Sequence, residues 1–204
     1  SGTTVNIAGT AGTGFPTPTS GIAASAIDSG TIATARLGSG TASSSTFLRG
    51  DQTYAAAGGD MTPAFSVVKT NNQSISNNTN TLVTFQTEIL DSNGAFASNR
   101  FTVPGGTADA KYFIFAQTYH NSGNSSDMKI ATLNLFVNNS RQAMSVFDAR
   151  SNQPRGVGMT ISKILALSAS DYVEVFAQMD TDDGSMTIDG GDSQTTFGGF
   201  KIIV

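Results

Sequence analysis

The stretch KYFIFAQTYH, residues 111–120, reads as a β-strand with two apolar faces. Successive side chains of a strand point to opposite sides, so Tyr112, Ile114, Ala116 and Thr118 share one face while Phe113, Phe115, Gln117 and Tyr119 share the other. A strand that must hide both faces sits in a sandwich whose outer side is covered by something else, such as a neighbouring subunit.

Working outward, five further runs are rich in aromatic and aliphatic residues: TLVTFQTEIL (81–90), KIATLNLFVNN (129–139), SKILALSAS (162–170), DYVEVFAQM (171–179) and TFGGFKIIV (196–204). Most of them alternate. Between them lie DSNG (91–94), PGG (104–106), NSGN (121–124) and DTDDG (180–184), which are turn compositions. Short alternating runs with turns between them predict an antiparallel all-β sandwich. No segment combines a helical period with caps. SRQAMSVFDARSNQPRGVG (140–158) reads as a long polar loop.

The character changes at AAAGG, residues 55–59. Upstream, Gly, Ser, Thr and Ala dominate and large apolar residues are thin. Such a segment cannot bury enough surface to offset its ordering entropy, and alone it is expected to be disordered. Ile22, Ile27, Ile32 and Leu37 nevertheless recur every five residues, a step that suits neither a helix face nor a strand face. Several copies of the chain winding together, with these residues packed at a shared axis, would account for it; a flexible linker with accidental spacing is the alternative. Residues 1–60 are therefore read as an extended oligomeric stalk or linker and residues 61–204 as the head. The chain opens on Ser1, which is expected of a fragment or a processed product.

The net charge is −4, only 13% of residues are charged, and there is no cysteine. Disulfides and thiolate chemistry are excluded. Scattered single Lys and Arg residues make no basic stripe, so nucleic acid is not an expected partner. No run of about 18 apolar residues is available for a membrane span, so insertion is not expected either.

The residues also resemble a family. FSVV, then LVTFQTEILDSNGAF, RFTVPGGTADAKYFIFAQTYH, KIATLNLFVNN and ISKILALSASDYVEVFAQ, closing on TTFGGFKIIV, resemble the complement C1q-like and TNF-like trimeric jelly roll. Phe101-Thr102-Val103-Pro104 followed by Tyr112-Phe113 is similar to that family's Phe-Thr-x-Pro and aromatic strand. The pair from Leu165 to Val175 is similar to its hairpin, and Thr196-Phe197-Gly198-Gly199-Phe200 to its closing signature. The resemblance implies a C1q/TNF-like jelly-roll head and a homotrimer. Upstream, IDSGTIATARLGSGTASSSTFLRGDQTYA resembles the repeats of bacteriophage tail fibres, which implies a trimeric stalk.

Candidate sites follow from residue type. Arg49-Gly50-Asp51 matches an integrin-binding tripeptide, but Phe47, Leu48 and Tyr54 flank it and Gly50 suits a positive φ, so it reads as a turn. His120 is the only histidine and has no nucleophile partner, so no catalytic residue is nominated and the protein is expected not to be an enzyme. Glu88 and Glu174, the only glutamates, are expected to face solvent or be paired. Asp180, Asp182 and Asp183 in MDTDDGSMTIDGGD, with Asp189 and Asp192 beyond, offer hard oxygen ligands, which makes calcium the one candidate cofactor, although the spacing fails the EF-hand pattern. Aromatic and Arg residues dominate binding hot spots, which nominates Tyr119, His120 and Asn121 in one head loop and Arg141, Phe147, Arg150 and Arg155 in another. The four Asn-x-Ser/Thr sequons, at Asn72, Asn77, Asn124 and Asn138, are within chance for this composition. The expectation is a trimeric virion fibre protein that attaches to a host cell-surface glycan or protein, located on a virion or outside cells. The alternative is a decoration protein or extracellular filament subunit that assembles with other virion or filament subunits through its N-terminal arm.

Overall fold

The computed structural model describes residues 33–56, 61–123, 126–191 and 194–203. The chain divides into two units, Ser1–Ala57 and Gly58–Val204.

In the first unit, β1 (Thr46–Leu48) and β2 (Tyr54–Ala56) form an antiparallel hairpin with Leu48 opposite Tyr54. Its turn carries Arg49-Gly50-Asp51. Arg49 N donates to Thr53 O at 2.8 Å, and Asp51 Oδ1 accepts from both the amide and the hydroxyl of Thr53. The positive φ falls on Gln52, at 62°, and not on Gly50 as the sequence suggested. Of the five-residue series, Ile22, Ile27 and Ile32 lie outside the described residues; Leu37 closes a single 3-10 turn and is 38% exposed.

Among its described residues the second unit is all-β apart from one 3-10 turn, Ser92–Gly94. It runs through β3 (Ala64–Val68), β4 (Gln73–Ser74), β5 (Thr81–Leu82), β6 (Thr87–Asp91), β7 (Phe96–Ala97), β8 (Arg100–Thr102) and β9 (Ala110–Asn121). It continues through β10 (Met128–Val137), β11 (Ser140–Asp148), β12 (Gly156–Leu167), β13 (Tyr172–Thr181), β14 (Thr187–Ile188) and β15 (Thr196–Lys201). One sheet has the order β11-β10-β13-β8-β7, with β5 also on β13; the other has the order β4-β14-β9-β15-β3-β6, with β12 also on β9. Their inner faces meet in one core. Ala131, Leu133 and Leu135 of β10 and Val173, Val175 and Ala177 of β13 face Tyr112, Ile114 and Ala116 of β9, with Phe65 and Phe197 beside them. Phe65 stacks on Phe101 across the two sheets at 4.6 Å and meets Phe197 edge-on at 4.8 Å. Such pairs add about 1 kcal/mol each beyond the area they bury.

Two adjacent glycines let β15 pass between neighbours. A Cβ on Gly198 would stand 2.5 Å from Phe115 Cζ, and one on Gly199 would stand 2.6 Å from Ile114 Cδ1 and 2.8 Å from Phe113 O. The pair in TTFGGF is thus set by close approach on both faces.

Three expectations are corrected. TLVTFQTEIL is not one strand: β5 lies on β13 and β6 on β3 of the other sheet, and between them Val83 N still donates to Val175 O of β13 while Phe85 N turns to Asn99 Oδ1, with both side chains in the core. Residues 140–148, read as loop, are strand β11, which pairs along β10 from Val137↔Ser140 to Ile130↔Asp148. The connecting turn carries positive φ at both Asn138 (49°) and Asn139 (64°), as a two-residue hairpin turn requires. Finally, Leu165 and Val175 do not belong to one hairpin. β12 pairs with β9 and β13 pairs with β10, so the chain crosses between sheets at residues 168–171.

Candidate functional site

The antiparallel registers gather three connections at one end of the sandwich. β9 ends where β12 begins (Asn121↔Gly156), and β10 begins where β11 and β13 end (Ile130↔Asp148, Met128↔Thr181). Residues 122–123, 126–127, 149–155 and 182–186 therefore share that end. β3 begins at the other: Ala64 lies opposite Phe200, which lies opposite Phe113 near the start of β9. The end carrying the three loops is the one away from where the chain enters the unit.

Hydrogen bonds tie these loops together. Ser122 N donates to Arg155 O at 2.8 Å, and Arg155 Nε donates to Gly123 O. Asn121 Nδ2 donates to Asp189 Oδ2 at 2.7 Å. Asp127, 7% exposed, accepts from the Asp183 amide at 3.0 Å, and the Asp182 amide reaches its carbonyl. Lys129 pairs with Asp182, whose other oxygen accepts from Gln153 Nε2 at 3.0 Å. These bonds, Lys129 foremost, hold the Asp182 carboxyl below its usual range, and Asp182 in turn raises the Lys129 ammonium. Arg150 pairs with Asp148 and lowers its carboxyl in the same way. The result is a polar end that carries both signs of charge.

The nominated residues divide. Tyr119 (half-buried on the outer face of β9), Asn121 and Arg155 come together at this end, and Arg150, Asp180, Asp182 and Asp183 join them there. Phe147 is half-buried and packs on the core. Arg141 lies at the opposite end, next to the 138–139 turn, with Nη1 on Met144 Sδ at 3.4 Å. His120 is not in an exposed loop: it is 0% exposed on the inner face of β9. Its Nε2 lies 3.2 Å from Thr132 O, which can only accept, so Nε2 carries the proton and Nδ1 faces Thr118 Oγ1 at 3.4 Å. Burial pushes its pKa down to about 4. Of the two glutamates, Glu88 is exposed, whereas Glu174 is 3% exposed and paired with Arg100 at 2.8 Å, whose guanidinium lies over the Tyr172 ring.

Sequence reading missed Asp127, Lys129, Asp148 and Gln153. Their signal was topological, since they sit at strand ends or in the loops joining them, which only the pairing brings together. Among the described residues no group of three or more His, Cys, Asp or Glu side chains is arranged as metal ligands. Asp192, part of the acidic stretch, lies outside the described residues.

A second surface is apolar. Residues opposite one another in a ladder share a face, so Ile164, Phe113, Phe200 and Ala64 form one row across the outside of the second sheet, and Ser162, Phe115, Gly198 and Ser66 form the next. Ile164 is 58% exposed, and Phe113 packs on Phe115 at 6.2 Å and on Phe200 at 5.6 Å. A depression of about 440 Å³ opens beside Phe113, Phe115 and Ile161.

The C1q domain model matches residues 64–202, more than half of the chain. The chain belongs to the C1q domain family. Domains of this family are generally binding or structural modules and not enzymes; they typically oligomerise, bind other molecules and act outside cells. No curated protein matches the chain. No helix among the described residues is long and apolar enough to cross a membrane.

Proposed function

We propose that the chain is a non-enzymatic, homotrimeric receptor-binding protein of a virion fibre, in which the C1q head engages a host cell-surface glycan or protein. The observation that carries this reading is the gathering of three polar loops, with Lys129 and Arg150 on their carboxylate partners and Arg155 on the Gly123 carbonyl, at the end of the head opposite chain entry. A binding tip presented in three copies gains avidity without a stronger single site. The outward-facing rows of half-buried Phe113, Phe115 and Phe200 with exposed Ile164 support self-association, because an apolar face of this kind is a candidate subunit interface. Burial of the lone histidine supports a non-enzymatic role: His120 has no access to an outside substrate. The likeness of residues 27–55 to tail-fibre repeats supports the fibre setting.

The test is attachment. Arg150→Ala and Arg155→Ala should weaken binding to susceptible cells or to a glycan array at least tenfold while leaving the solution mass at three chains. Unchanged attachment by the double variant would remove the loop end as the binding tip.

A second reading, a decoration protein or filament subunit, is supported by β12, which pairs only with β9 among the described strands and leaves a twelve-residue edge open to strand addition. Open-ended polymers instead of discrete trimers would favour it.

A further inference from the structure

Lys69 stands at the end of β3 and is 1% exposed, yet among the described residues it has no carboxylate within ion-pair distance. A buried ammonium without a counter-ion is costly, and proteins relieve such a group by pairing it or by removing its charge. Its Nζ contacts three atoms: Gln73 Oε1 at 3.1 Å, Thr84 O at 2.9 Å and Thr84 Oγ1 at 3.0 Å.

The Gln73 amide is held with equal definition. Its Nε2 donates to Leu82 O at 2.8 Å; that carbonyl can only accept, so the orientation of the amide is fixed. Its Oε1 then receives Lys69 Nζ, Thr84 N at 2.9 Å and Thr84 Oγ1 at 3.1 Å. A side-chain carbonyl facing a backbone amide, a hydroxyl and an amine is polarised as an acyl group is in an oxyanion hole. Burial also lowers the Lys69 pKa to about 8, which makes the free amine accessible in mildly alkaline solution.

From this geometry we propose that Lys69 and Gln73 form an intramolecular isopeptide bond. The free amine of Lys69 attacks Cδ of Gln73, forming an N–C bond, while the oxyanion that develops on Oε1 is held by the Thr84 amide and hydroxyl. The C–Nε2 bond then breaks. One proton from the attacking nitrogen passes to the departing nitrogen, which leaves as ammonia, and no oxidant or further reactant is needed. The product is a neutral amide, so the reaction removes the buried charge that the fold otherwise has to hold. Thr84 is a positioning residue here, acting through the Gln73 carbonyl.

The test is the intact mass of the full chain, purified and incubated at pH 9. The expected mass is lower than that of the sequence by one ammonia, trypsin fails to cleave after Lys69, and fragment spectra join residue 69 to residue 73. Thr84→Val, which keeps the backbone amide but loses the hydroxyl, should slow the loss at least tenfold, and Lys69→Met should abolish it. A wild-type chain that keeps the full mass of its sequence overturns the proposal. So does an ammonia loss that fragment spectra place elsewhere, for example at Asn93-Gly94.

Discussion

A methyl group at Gly198 would stand 2.5 Å from Phe115 Cζ and 3.0 Å from Phe65 O; the ring can swing aside, but the backbone carbonyl of the neighbouring strand cannot. Gly198→Ala is expected to lower stability by about 1 to 3 kcal/mol, the usual cost of overpacking, seen as an earlier thermal transition. It should also disturb self-association, because the ring it displaces belongs to the outward-facing aromatic rows. His120 gives a second prediction at this scale. Below pH 6.5 the unfolded chain takes up a proton at His120 that the folded chain refuses until the pH nears 4. Stability is therefore full above pH 6.5 and falls through the window from 6.5 to about 4, by roughly 3 kcal/mol in total. Urea titrations across that range should show the loss, and His120→Gln should flatten it. The inward position of His120 was legible in the sequence, since by parity it shares the face of Tyr112, Ile114 and Ala116. Chemical type outweighed parity in nominating it for a binding loop. Lys69 carried the same parity signal, since it shares the face of Phe65 and Val67, but it stands at the end of the strand, where a lysine is ordinarily expected to reach solvent.

Among the elements, the β1–β2 hairpin concentrates its strain at Gln52, while Gly50 has neither a positive φ nor a neighbour that a Cβ would strike. Gly50→Ala should leave the hairpin intact or strengthen it slightly by restricting the unfolded chain. Gln52→Gly should relieve the turn, and Gln52→Val should fray it; amide exchange at Thr53 reports all three. In the second unit, Arg100 of β8 holds the buried Glu174 of β13. Arg100→Leu strands that carboxylate and is expected to cost about 3 to 5 kcal/mol, measurable by denaturant unfolding. Strand β9 could be read from its strict alternation of burial, and β10 and β13 from their long apolar runs, since part of each is buried on both faces. β11 could not, because it is an outer strand whose exposed positions carry Arg141, Met144 and Asp148. Its legible trace was Asn138-Asn139, a pair suited to positive φ. The assignment of Leu165 and Val175 to one hairpin failed because sequence proximity across a short turn does not say which sheet each strand joins.

For the whole molecule, the solution mass of the full chain should correspond to three copies, and Ile164→Asp, which sets a charge in the aromatic row, should shift it toward one. A wild-type chain that runs as a monomer by light scattering would remove the trimer and the avidity argument with it. The fold class was legible because six apolar runs and their turns admit few arrangements; the loop end was not, since its members are scattered from Tyr119 to Asp189 and only the pairing collects them. A last consequence follows from how the molecule is held together. Among the described residues there are four ion pairs, and in just one of them, Arg100 with Glu174, is a partner buried; the rest lie at the surface, where dissolved salt screens them. Cohesion rests instead on aromatic rings and backbone ladders, which salt hardly touches. Such a head should melt at nearly the same temperature in fresh water as in brine, and so keep its shape as its surroundings change from one to the other.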